Sequence, residues 1–283
     1  MTVWTGKEML IWGGVEVRGP PGTQPSAGAT PPGAYEPASD TWRTLPAGPL
    51  DVVAGAVGGW TGRELVIWGG VDGDQRGAAF EPCSNRWRST APAPIEPRDM
   101  VASVWTGREL LFWGGNTRTN FPLSDGAAYD PARDTWRVLP PVSVRGYYAP
   151  EPVWTGAEML VWGWSNLALD RAAENETVAY NAATTQWRTV PRAPLVPPVD
   201  QYEGTLGGRV AWTGESLLAW SGTLDAEGPL VLELDPRTDQ WKRLPLPPAA
   251  SPLAPEIVWT GYELIVLGAG PDHSALAMRL SAR

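Results

Sequence analysis

An all-β fold of repeated four-stranded units is predicted by three features of the sequence. A Trp-Thr-Gly element recurs six times, short β-branched and aromatic runs are bounded by Gly, Pro and Asp, and 16 of the 17 tryptophans hold three fixed positions. The first Trp of each copy is Trp4, Trp60, Trp105, Trp154, Trp212 and Trp259, at intervals of 56, 45, 49, 58 and 47 residues. Eight residues later stand Trp12, Trp68, Trp113, Trp162 and Trp220, with Leu267 in the sixth copy. A third Trp, at 42, 87, 136, 187 and 241, follows Tyr35, Phe80, Tyr129, Tyr180 and Leu234 by 7 residues.

Each unit divides into four strands, which in the third copy are "ASVWTG", "ELLFWGG", "GAAYDP" and "TWRVLP". Thr106-Gly107 marks a tight hairpin between the first two, because Gly adopts the positive φ such turns require. "DPARDT" turns the third strand into the fourth. Separations between second and third Trp of 30, 19, 23, 25 and 21 residues hold most of the length variation, and one insertion lies in "APLVPPVDQYEGTLGG". Fixed strands joined by variable loops are what packed repeats produce.

Leu110-Leu111-Phe112-Trp113 is apolar on successive residues, so both faces of that strand are expected to be covered. A sheet standing between two similar sheets meets that need. Six such units predict a closed ring, a six-bladed β-propeller of four-stranded antiparallel blades forming a single domain over residues 1–283. The blades are expected at about 1–46, 53–91, 100–140, 148–191, 208–245 and 254–283, the last incomplete because no Trp-bearing fourth strand follows "ALAMRLSAR".

The Gly-Gly closing the second strand (Gly13-Gly14, Gly69-Gly70, Gly114-Gly115), followed by Tyr-Asp-Pro and a Trp 7 residues on, resembles the kelch repeat over nearly the whole chain. Later units depart from it at Gly163-Trp164, Ser221-Gly222 and Gly268-Ala269. The resemblance implies a bacterial kelch-like propeller similar to the central domain of galactose oxidase. It also implies ring closure by an N-terminal strand, which neither end supplies. A truncated start is one expectation; it predicts a "W-x-x-L-P" element upstream, its Trp 18 residues before Trp4.

Composition narrows the function. With 22 basic and 31 acidic residues the net charge is −9, which disfavours nucleic acid as a partner. Cys83 and His273 stand alone of their kinds, so neither a disulfide, a multi-cysteine zinc site nor the two-histidine copper site of galactose oxidase is available. No metal and no cofactor is expected. No apolar run nears the roughly 20 residues that span a bilayer, so no membrane insertion is expected. "MTVWTGKEML" lacks a signal peptide. The chain is expected to be a cytoplasmic monomer as written, or extracytoplasmic if its start is truncated.

Antiparallel order places the second-to-third loops and the unit-to-unit links on one side, and these hold every variable segment. A ligand site is expected there. The tryptophans in register read as framework; Trp164, outside it, is a candidate ligand contact. Arg98, Arg145 and Arg209 precede first strands, and Tyr147, Tyr148 and Tyr202 lie in links. Glu151, Arg209 and Glu256 each stand 3 residues before a first Trp, so they are expected to be neighbours, as an ion-pair cluster or a polar-ligand site. Asp72 and Asp74 are too few for a calcium site. These features predict a non-catalytic binding module for a protein or glycan. The alternative is a carbohydrate-processing enzyme, similar to kelch-type sialic-acid mutarotases, acting through arginines and glutamates.

Overall fold

The computed structural model describes residues 1–13, 15–18, 26–29, 31–51, 55–70, 73–119, 122–165, 174–194, 209–221, 230–244, 253–269 and 275–281. Among these residues all regular structure is β, and it falls into two compact units, Met1–Leu139 and Pro140–Arg283.

The first unit holds three four-stranded antiparallel sheets. Sheet 1 pairs Thr2–Trp4, Met9–Ile11, Gly33–Glu36 and Thr41–Thr44 in that order, with a separate hairpin, Val15–Arg18 with Ser26–Ala29, inserted between its second and third strands. Sheet 2 pairs Ala56–Trp60, Leu65–Gly69, Arg76–Glu81 and Arg86–Pro92. Sheet 3 pairs Ala102–Trp105, Leu110–Trp113, Gly126–Asp130 and Thr135–Val138.

The second unit holds two more four-stranded sheets and one of three strands. Sheet 4 pairs Tyr147–Trp154, Glu158–Ser165, Glu174–Asn181 and Gln186–Val190. Sheet 5 pairs Arg209–Trp212, Leu217–Ser221, Leu230–Asp235 and Gln240–Leu244. Sheet 6 pairs Leu253–Trp259, Glu263–Ala269 and Ala275–Ser281.

The repeated motif builds the same hairpin six times. In each Trp-Thr-Gly turn the Thr backbone N–H donates to the carbonyl three residues on (Glu8, Glu64, Glu109, Glu158, Ser216, Glu263) at 2.9–3.0 Å. The Thr hydroxyl oxygen also accepts that residue's N–H, as in Glu109 N–H to Thr106 Oγ1 at 2.9 Å. The Gly of the turn takes φ between +88° and +103°, a conformation that strains any residue with a Cβ.

Cross-strand register explains the three tryptophan positions. First Trp, aromatic and third Trp share one row: Trp105–Leu110–Tyr129–Trp136 in sheet 3, and Trp60–Leu65–Phe80–Trp87 in sheet 2. The second Trp points to the opposite face, because side chains alternate along a strand. Within a unit, the second-Trp face of one sheet packs on the first-Trp face of the next. Val66, Trp68 and Ala79 of sheet 2 thus meet Leu110, Phe112, Tyr129 and Trp136 of sheet 3. Sheets 4 and 5 repeat this with Val153, Leu160 and Trp162 against Leu217, Leu232 and Leu234.

The third Trp also ties its sheet to the chain segment that precedes it. Its indole N–H donates to a backbone carbonyl in four sheets: Trp87 to Pro46, Trp136 to Ala91, Trp187 to Pro140 and Trp241 to Pro191, at 2.7–2.9 Å. One departure from expectation concerns coverage. Within its unit no sheet covers the first-Trp face of sheet 1, where Trp4 is 53% and Trp42 61% exposed, because sheet 2 lies against the other face.

Candidate functional site

Glu151, Arg209 and Glu256 occupy one register position in sheets 4, 5 and 6. They lie directly opposite Trp162, Trp220 and Leu267 respectively. The first strand of sheet 5 packs beside those of sheets 4 and 6, so the three side chains meet. Arg209 Nη1 donates to Glu151 Oε1 at 3.0 Å. Its Nη2 and Nε donate to the two carboxylate oxygens of Glu256 at 3.1 and 3.3 Å.

The two carboxylates are not equivalent. The Glu256 side chain is 70% exposed, whereas that of Glu151 is 24% exposed. Burial, reinforced by the negative charge of Glu256, pushes the Glu151 carboxyl up to about 7 despite the opposing pull of Arg209. Arg209 is itself raised, chiefly by its hydrogen bond to Glu256. The cluster therefore carries a carboxyl that exchanges its proton near neutral pH, one guanidinium, and one solvent-facing carboxylate.

The remaining candidates lie elsewhere. Arg98 is buried in the first unit, in the link between sheets 2 and 3. Its guanidinium pairs with Asp125 and donates from Nε to the Glu96 carbonyl at 2.9 Å, while its own carbonyl accepts the Gly70 N–H at 2.8 Å. Those bonds fix the link to the loop preceding the third strand of sheet 3. Arg145 is exposed. Tyr147 is buried, its ring lying against Gly163, where a Cβ would come within 2.8 Å of it. Burial and the charge of Glu176 raise its phenol.

Tyr147 and Glu176 stand at the repeat positions that Arg98 and Asp125 hold in sheet 3, 7 residues before the first Trp and 4 before the aromatic. Trp164 lies in a strand, opposite Tyr148 and Asn175. The side chains of Trp164 and Tyr148, and all of Tyr202, Asp72 and His273, fall outside the described residues. Asp74 accepts the Arg76 N–H within its own turn at 3.0 Å. Among the described residues no three His, Cys, Asp or Glu are grouped to hold a metal ion.

A second charged network runs along the other edge of the sheets, where the turns are short. In sheets 1 to 4 the Glu closing the Trp-Thr-Gly turn receives the Arg that follows the third Trp: Arg43 to Glu8, Arg88 to Glu64, Arg137 to Glu109 and Arg188 to Glu158. Three of these arginines also reach the next sheet's third-to-fourth turn, at Asn85, Asp134 and Asp239. Those turn residues hold φ of 52–55°.

Sheet 5 rearranges the network. Ser216 replaces the Glu, and the carboxylate comes instead from Glu233, which accepts from Ser216 Oγ at 3.0 Å and from Lys242 at 3.1 Å. In the sequence this network is marked by a Glu 4 residues after the first Trp in five of the six copies and by a basic residue after each third Trp.

No family model matches this chain, and no curated protein matches it. Fold and site define an all-β repeat protein with a charged cluster between neighbouring first strands.

Proposed function

We propose that the six sheets are blades of a six-bladed, kelch-type β-propeller serving as a non-catalytic binding module. Its partner, a protein or a glycan, meets the variable loops and the Glu151–Arg209–Glu256 cluster. The observation that carries this reading is the convergence of two carboxylates, from two separate strands, on the guanidinium of a third strand between them. Nothing in strand pairing requires charge at that position; sheets 2 and 3 have Val57 and Ala102 there, 3 residues before the first Trp. Arg209 presents several donors in a planar fork suited to polar oxygen-rich ligands.

One feature favours the alternative of a carbohydrate-processing enzyme. A carboxyl near 7 beside a guanidinium is suited to general acid–base work. Glycan and protein binding screens with the wild type, Arg209→Ala and Trp164→Ala test the binding reading. Binding that survives unchanged in both variants removes this site. Turnover of a bound glycan that disappears in Glu151→Gln replaces the module with the enzyme.

A further inference from the structure

We draw no further inference here: the strongest candidate, the bridge between Asp99 in the sheet 2–3 link and Asn116 after the second strand of sheet 3, where Oδ1 of each is buried with no hydrogen-bond donor among the described residues, supplies one carboxylate and one amide, too few groups to define a cation or any other ligand.

Discussion

Glu151→Gln should change how the protein's stability responds to pH. In the folded state burial lifts the Glu151 carboxyl from its ordinary 4.5 to about 7, so the folded chain binds that proton more tightly than the unfolded chain does. The contribution is fully present below about pH 4.5 and is lost as pH rises to about 7 and beyond. A carboxyl moved from 4.5 to about 7 accounts for about 3 kcal/mol. Gln has the shape and hydrogen-bonding capacity of the neutral acid but cannot ionise. Urea unfolding of wild type and Glu151→Gln, followed by circular dichroism between pH 4.5 and 8, reads the difference directly. The variant is expected to gain about 3 kcal/mol on the wild type across that range. Parallel stability curves would show that Glu151 ionises in the folded protein as easily as in water, and would refute its assignment as a neutral-pH proton site.

Other perturbations test the framework. Arg98→Met removes the clamp on the sheet 2–3 link while leaving Asp125 half-exposed, so a loss of about 1–2 kcal/mol is expected, with clear coupling to Asp125→Ala in a double-mutant cycle. Additive losses would mean that the pair is not the clamp. In sheet 5, Glu233→Ala should cost less than about 1 kcal/mol because Lys242 is well exposed, and adding Ser216→Glu should restore wild-type thermal stability. A double variant less stable than Glu233→Ala counts against the exchange. Trp136→Phe loses the bond to the Ala91 carbonyl and should cost about 1–2 kcal/mol, whereas Trp42→Phe, exposed and without that bond, should cost less than half as much. Chemical unfolding compares the two, and equal losses would refute the fastening role of the third Trp.

Much of the fold was legible in the residues. The spacing of three tryptophans and the Thr-Gly turn placed the four strands of sheet 3 within about two residues of their observed ends. It also separated the two sheet faces, because an 8-residue step from first to second Trp crosses one hairpin and reverses the side. The shared offset before the first Trp put Glu151, Arg209 and Glu256 together, and they do meet. Arg98 and Tyr147, read as loop candidates of the same kind, are buried and serve their own sheets. Offsets from a motif report the strand level of a residue, not whether a neighbouring carboxylate already holds it.

The sequence by itself determined strands, turns and register, because these follow from periodicity and from the few residues that tolerate special backbone angles. Tertiary structure alone decided three matters. It made Glu151 the reluctant carboxylate and Glu256 the solvated one, since burial differs between two residues with the same repeat position. It revealed that Glu233 stands in for the glutamate missing at Ser216, a substitution across strands that no linear spacing displays. And it showed that the tryptophan row of sheet 1 has no covering sheet within its own unit, because whether an apolar row is covered depends on what lies against it and not on the row.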